Sequence, residues 1–357
     1  VASYAMENEF LSIDFDRATG GIIKLIDKKT GKNLASPEKP LGVLEYVLER
    51  ADVMSSWVVH EAQQRCNMEL VSLKKPQCGP HMSSVVAKGK IKDSTFEITY
   101  SLKAGEPKLD IDVKIVWVER GGPQIGTPSL LMKFPLALDE AKGRYEIPFG
   151  SIERDLNHGE EVPSQKWLDI TGKQGQKSAA GCAILNDSKY GYSLTDSTLR
   201  VSLIRSSYEP DMLPEIGEHA IRLAVAPHGD SLSVSDLTRL GAAFNHPLEV
   251  IGTDIHKGNF TATSDALVAC KQDNVLIVAL KKAEDSDDII LHLLETAGRA
   301  TTAEVKLGDN VFGTIAEAVE VDFIERPIEN SSAKKSKNGF SVKLPANGIT
   351  AVKVHLM

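Results

Sequence analysis

Ser94–Trp117 reads STFEITYSLKAGEPKLDIDVKIVW. In its first half Phe96, Ile98, Tyr100 and Leu102 alternate with Glu97, Thr99, Ser101 and Lys103. In its second half Leu109, Ile111, Val113, Ile115 and Trp117 alternate with polar residues, among them Asp110, Asp112 and Lys114. Successive side chains of an extended chain point to opposite faces, so a period of two writes one apolar face and one polar face. AGEP between the runs is turn-forming, and the whole stretch predicts an antiparallel hairpin with one side buried.

The same pattern extends outward in both directions. FLSIDFD alternates before DRATGG, and IIKLID closes at KKTGKN. Near the far end FSVKL and ITAVKVHL flank PANG, where Asn347-Gly348 can supply positive φ. Helical spacing is confined to SVSDLTRLGAAFN, with Val234, Leu237, Leu240, Gly241 and Phe244 on one face. Ser233 or Ser235 is the expected cap, and Pro247 lies past the end. One helix among a dozen or more strands predicts an all-β protein, and 357 residues require at least two stacked sandwiches. The expected division falls near HKGNF, giving a large domain over 1–256 and a smaller one over 257–357. EDSDD and ENSSAKKSKNG, in the smaller domain, read as solvated faces or loops.

A net charge of −8 repels phosphate backbones and argues against a nucleic-acid partner. The longest clear apolar run, LIVAL, is far short of the roughly 20 residues that span a bilayer, so no membrane partner is expected. VASYAMENEF lacks the basic start and apolar middle of a signal peptide. It also lacks an initiator Met, and reads as the start of an excised or trimmed chain. Cys66, Cys78, Cys182 and Cys270 form no C-x-x-C pair, and none has a His at zinc-finger spacing. They read as apolar fillers in a reducing compartment, which predicts a cytoplasmic protein.

The chemistry-bearing residues crowd into RYEIPFGSIERDLNHGEEVPSQKW, Arg144–Trp167, which also holds Pro148 and Pro163. It is either an active-site loop or the seam of something larger. Nucleotide-binding glycine motifs, G-x-S-x-G and H-E-x-x-H are absent. His219 and His228 bracket AIRLAVAP beside Glu218 and Asp230, but an odd spacing places them on opposite faces of a regular strand, and hydrogen-bonded loop histidines are the favoured account. Glycoside hydrolysis needs two carboxylates, for which Glu153, Glu160, Glu161 and Asp187 are available. LNDSKYGYS places Tyr190 and Tyr192 at a tight turn between GCAIL and LRVSLIR, suited either to sugar stacking or to a hairpin end. LIRSSYEPD places Arg205, Tyr208 and Asp211 in a loop, where Arg205 can clamp a carboxylate with two parallel bonds.

In order, YEIPFGSIER, EEVPSQKWLDI, AILNDSKYGYS, LRVSLIRSSYEPD, GEHAIRLAVAPHG and AAFNHPL resemble the C-terminal part of the family 38 glycoside hydrolases, the α-mannosidases, and most of all their cytosolic and bacterial branch. ENEFLSIDFDRATGGIIKLIDKKTGK resembles the opening of that family's β-rich region. ILHLLETAG resembles a strand near its end, with His292 where a basic residue is usual. The resemblance implies a galactose-mutarotase-like β-supersandwich followed by a smaller β-sandwich. It implies a retaining hydrolase of terminal α-linked mannose whose zinc ligands and nucleophile lie in an N-terminal domain outside this chain. No catalytic residue and no metal ligand is therefore expected here, and zinc belongs to the full-length enzyme. The implied partners are the chain's own N-terminal catalytic domain and a mannoside or oligosaccharide, with a homo-oligomer left open.

Tyr190, Arg205, Asp211, Gly217 and His219 are the residues expected at the rim of the sugar pocket, with Asp187 beside them and Asp52 and Trp57 ranked behind. Arg154 and Glu161 are expected to fix the loops of the inter-domain seam. Two other readings remain. A stand-alone aldose epimerase requires a His acid and a Glu base, such as Glu153 with His219 or His228. A carbohydrate-binding module requires an exposed aromatic platform.

Overall fold

Ser94–Lys103 and Leu109–Trp117 pair antiparallel, with Phe96 opposite Ile115, Ile98 opposite Val113 and Tyr100 opposite Ile111. Every apolar member of the two alternating sets is buried. In the computed structural model, which describes residues 4–154, 160–175, 178–212, 215–229, 232–257, 266–308 and 312–357, this hairpin sits inside a ten-stranded sheet. Its strands lie side by side as Gly150–Arg154, Asp139–Ile147, Trp167–Gln174, Ser178–Asn186, Gly217–His228, Leu109–Trp117, Ser94–Lys103, Met82–Ile91 and Glu69–Leu73, and Gln77–Cys78 also pairs with Met82–Ile91.

A six-stranded sheet runs Val162–Pro163, Gly191–Thr195, Thr198–Arg205, Thr127–Pro135, Val43–Glu49 and Ala62–Asn67. A four-stranded sheet is made of Ala5–Glu7, Leu11–Phe15, Ile22–Asp27 and Lys32–Asn33, in which FLSIDFD and IIKLID pair with each other. One continuous apolar core joins the three sheets. Sheets that are apolar on one side must stack to remove that side from water, which is the supersandwich. Tyr100 shows how tightly they meet: its ring lies 4.9 Å from Phe15, and its hydroxyl donates to the Gly42 carbonyl at 3.2 Å. Gly42 has φ +75°, and a Cβ there would come within 3.1 Å of that hydroxyl, so both the backbone and the space call for glycine.

The chain divides into two compact units, one of residues 1–232 with 237–246 and one of 233–236 with 247–357. The second unit is a sandwich of two four-stranded sheets. One holds Val268–Cys270, Thr301–Leu307, Gly339–Leu344 and Lys334–Ser336; the other holds Val275–Lys282, Ile289–Glu295, Ile349–Leu356 and Ile315–Val321. Leu291, Leu293, Val305, Phe340, Val342, Val352 and Val354 fill the space between them. The expected helix is Val234–Asn245, capped by Ser233, whose Oγ accepts from the Asp236 amide at 3.1 Å.

Two turns cross between sheets. PANG has the positive φ expected at Asn347 (+53°), yet Gly339–Leu344 and Ile349–Leu356 belong to different sheets, so the turn crosses the sandwich. LNDSKYGY likewise joins Ser178–Asn186 in the ten-stranded sheet to Gly191–Thr195 in the six-stranded one, and does not close a hairpin. Alternation marks which residues face inward but is silent on which strand each one meets, so a crossing and a hairpin look alike in sequence.

Candidate functional site

Strand register brings Arg205 and Gly217 to one end of the supersandwich. In the six-stranded sheet Gly191 lies opposite Ser202, Arg205 opposite Ser129, and Glu49 opposite both Thr127 and Ala62. In the ten-stranded sheet Trp117 pairs with Gly217, and the Trp117 indole donates to Ser206 Oγ at 2.7 Å, tying the two sheets together there. The loop 50–61 and the segment 206–212 therefore leave the fold at the same end.

Arg205 is the hub of that end. Its Nε and Nη2 donate to Glu49 Oε1 and Oε2, each at 2.8 Å, and form the two-pronged pair that a guanidinium makes with a carboxylate. Nη2 also donates to the Val58 carbonyl at 2.7 Å, and Nη1 to the Ser55 carbonyl. Glu49 is almost wholly buried and further accepts from Ser129 Oγ at 2.9 Å and the His60 amide at 3.0 Å. The clamp expected of Arg205 is thus made with a carboxylate of this chain, 156 residues away. Sequence reasoning missed Glu49 because GVLEYVLE is a strand buried on both faces, where no alternation flags the acid.

The clamp fixes loop 50–61 from below. Ser55 is fully buried, and its hydroxyl accepts from the Tyr208 and Glu209 amides at 2.9 Å each. The Tyr208 hydroxyl donates to the Asp52 carbonyl at 2.6 Å and accepts from the Asp52 amide at 3.0 Å. Asp52 pairs with Arg50 at 2.7 Å. The tip held this way turns Val53, Met54, Trp57 and Val59 outward, Trp57 being 68% exposed, and Met212 stands exposed on the neighbouring loop. His60 Nε2 is buried and has no hydrogen-bond partner among the described residues.

Glu161 lies against this cluster, accepting from Ser202 Oγ at 2.5 Å. A Cβ on Gly191 would come within 2.8 Å of its Oε2, so glycine leaves the space that this carboxyl fills. Burial pushes its pKa above the usual 4.5, and the Glu49 charge pushes the same way, against the Ser202 hydrogen bond and the Arg205 charge. A carboxyl whose folded pKa is raised favours the native state while protonated. That contribution is full below the unfolded value and is lost as pH rises through the folded one. Glu161→Gln is therefore expected to raise Tm at pH 7, and thermal scans should show the gain vanish near pH 4; a gain that persists in acid would remove the assignment.

A second knot joins EVPSQKW to LNDSKYGY. Asn186 is fully buried; its Nδ2 donates to the Gln165 carbonyl at 2.6 Å and to the Tyr192 hydroxyl, and its Oδ1 accepts from the Lys189 amide at 2.8 Å. Tyr192 is the buried tyrosine of the pair, and Tyr190 is half exposed. Tyr190 borders a cleft of about 680 Å³ with Pro148, Gln165, Lys166 and His246. At its edge Glu146 is buried and engaged by Lys166 through both the ammonium (3.0 Å) and the amide (2.5 Å). Arg154 stacks 4.9 Å from the Tyr145 ring centre and donates to the Pro163 carbonyl at 2.9 Å.

The remaining expected residues lie apart from these knots. Asp187 Oδ1 accepts from the Arg222 amide at 3.3 Å. Asp211 is exposed, and Gly217 has φ +142°. His219 Nε2 is 2.7 Å from the Glu215 carbonyl. His228, at the other end of the strand Gly217–His228, is buried 2.8 Å from Asp169. Glu153 pairs with Arg144. The epimerase reading needs a His facing a Glu, and none of these three residues makes that pair. His228, Gly229 and Asp230 do form an H-x-D triplet, but Asp230 and His158 lie outside the described residues. Among the described residues no three His, Cys, Asp or Glu side chains converge as a metal site, so they do not fit a zinc ion.

Residues 6–213 match the family described as glycosyl hydrolases family 38 C-terminal domain, and residues 274–356 match its C-terminal beta sandwich domain. This chain belongs to glycosyl hydrolase family 38. Among curated proteins, this family 38 chain is 25% identical over 321 residues to Alpha-mannosidase G of Dictyostelium discoideum, covering 83% of the chain and 28% of that protein. It is 28% identical over 236 residues to human Alpha-mannosidase 2C1, covering 63% of the chain and 21% of that protein. The chain thus spans less than a third of the length of the curated relatives it matches. The crystal structure of an alpha-mannosidase from Enterococcus faecalis V583 superposes with a TM-score of 0.77 at 14% identity, over 99% of this chain and 42% of that one, which establishes a shared fold. No helix among the described residues is long and apolar enough to cross a membrane.

Proposed function

We propose that this chain is the C-terminal portion of a retaining, zinc-dependent α-mannosidase that releases terminal α-linked mannose, and that it buttresses a catalytic domain encoded upstream. The family match and the α-mannosidase relatives, all much longer, support the parent activity. The state of four buried carboxylates supports the division of labour. A retaining glycosidase needs one carboxylate free to attack the sugar and another to shuttle a proton. Here Glu49 is held by Arg205, Glu146 by Lys166 and Asp169 by His228. Glu45 is held by Arg200, Arg65 and Lys133. These acids support the scaffold, and the nucleophile and zinc ligands are assigned to the N-terminal part. When bound there, zinc would orient and polarise the sugar hydroxyls.

In this reading the Arg205 clamp and the Arg154–Pro163 bond hold the end of the sandwich that meets the catalytic domain. The outward side chains Val53, Met54, Trp57 and Met212 then become an inter-domain contact, because rigidly displayed apolar groups of this size are stabilised by being covered. Tyr190, Asp187, Asp211, Gly217 and His219 stand at or near the pocket rim, and mannoside or oligosaccharide is the ligand. Four free thiols fit a cytoplasmic location.

The test is p-nitrophenyl α-mannoside turnover with added zinc, by this chain and by the polypeptide that includes its upstream sequence. Turnover is expected only from the longer protein; robust turnover by the 357-residue chain would overturn the assignment.

A further inference from the structure

The outer face of one sheet in the second unit carries an unusual concentration of positive charge. Strands with directly opposed residues present them on the same face, so the register reads out two rows. Lys334, Ser341 and Glu304 form one, and Ser336, Gly339, Lys306 and Ala269 form the next. In the first row the small Ser341 lies between two long side chains, and in the second Gly339 lies between Ser336 and Lys306. This face holds a trough of about 630 Å³ lined by Ser336 and Ser341, with Lys271 and Lys306 on one side and Lys334 on the other.

Four lysines and one carboxylate line this trough, in a chain whose net charge is −8. The carboxylate, Glu304, is taken up by Lys271 at 3.1 Å, and Lys335 donates to the Ala316 carbonyl at 2.9 Å. Among the described residues no ion pair joins Lys306 or Lys334, although both are exposed on strands. Ammonium groups held around one trough repel one another, and an anion seated between them relieves that repulsion. Lysine meets phosphate as a point charge with freely turning donors, and Ser336 and Ser341 add hydroxyls to the lining. The volume lies in the range of small-ligand clefts.

We propose that this trough is an oxyanion site that takes a phosphate monoester, with the phosphate between Lys306 and Lys334 and a sugar-sized body along the serines. The proposal stands apart from the α-mannosidase reading, since it uses none of the residues assigned to the rim.

Amide chemical shifts of the 357-residue chain, titrated with mannose 6-phosphate, inorganic phosphate and mannose, decide it. Saturable shifts at Ser336, Asn338 and Ser341 are expected from mannose 6-phosphate, about threefold tighter than from inorganic phosphate, and none from mannose. The double variant Lys306→Ser with Lys334→Ser is expected to weaken binding about tenfold, with amide signals elsewhere unmoved because both side chains are on the surface. Absence of a saturable shift, or an unchanged affinity in the double variant, overturns the site. Equal affinity for inorganic phosphate overturns the sugar body and makes free phosphate the ligand.

Discussion

Arg205→Ala is expected to destabilise the first unit by about 3–5 kcal/mol, the cost of removing one partner from a buried ion pair. Two losses combine. The first is electrostatic: Glu49 stays almost wholly buried and keeps only Ser129 Oγ and the His60 amide, so its charge is left without a countercharge in contact. The second is structural: the Ser55 and Val58 carbonyls lose their guanidinium donor, and loop 50–61 loses its attachment from below. At roughly 2–4 °C per kcal/mol for a unit of this size, the drop in Tm should be on the order of 10 °C. The loop can be followed separately. Trp117 and Trp167 are fully buried and Trp57 is exposed, so acrylamide quenching and limited proteolysis report on the loop before global unfolding. Replacing both partners, Glu49→Leu with Arg205→Leu, should cost less than the sum of the single changes, because no orphaned charge remains. If Arg205→Ala left Tm within a degree and loop cleavage unchanged, the hub assignment would be wrong.

Glu49 also marks the limit of what a sequence discloses. The hairpin of Ser94–Trp117 was legible because each strand has one buried face, and period two records that directly. The helix Val234–Asn245 was legible from its spacing and its Ser233 cap. Val43–Glu49 carries no such record: it is buried on nearly every residue, and two of its buried positions are acids. A buried acid is explained only by its partners, and here these include Arg200 and Arg205, some 155 residues along the chain. The family motifs around Arg205 and Tyr190 were visible as clusters of suggestive residues. What each member does depended on distances: the Arg205 fork is occupied from within, Tyr192 is an interior strut, and Tyr190 faces a cleft. The sheet crossing at LNDSKYGY was hidden for the same reason.

That crossing leads to the other large expected effect, at Asn186. Its side chain satisfies three groups at once: the Gln165 carbonyl, the Tyr192 hydroxyl and the Lys189 amide. Its own backbone accepts from Asn245 Nδ2 at 2.9 Å and donates to the Lys166 carbonyl at 3.0 Å. Asn186→Ala removes the side-chain links and strands buried polar groups, each worth about 1–3 kcal/mol, so a loss of about 3 kcal/mol is expected. Asn186→Asp is the sharper probe because it preserves shape. The Lys189 amide keeps its acceptor, but an oxygen replaces the Nδ2 donor and faces the Gln165 carbonyl. The new charge would also be buried where Glu146 already acts on Tyr192. Both effects raise the introduced carboxyl's folded pKa, so its charged form opposes folding and the penalty grows as pH rises through that value. Asn186→Asp should therefore be less stable than Asn186→Ala at pH 7 by about 2 kcal/mol, and the gap should close as the solution is acidified toward pH 4. Denaturant midpoints of the two variants across that range measure the gap directly. A gap independent of pH would mean that the Asn186 side chain reaches water, and that the joint between the two sheets is held by the Tyr192 contact to the Lys189 carbonyl and by the backbone alone.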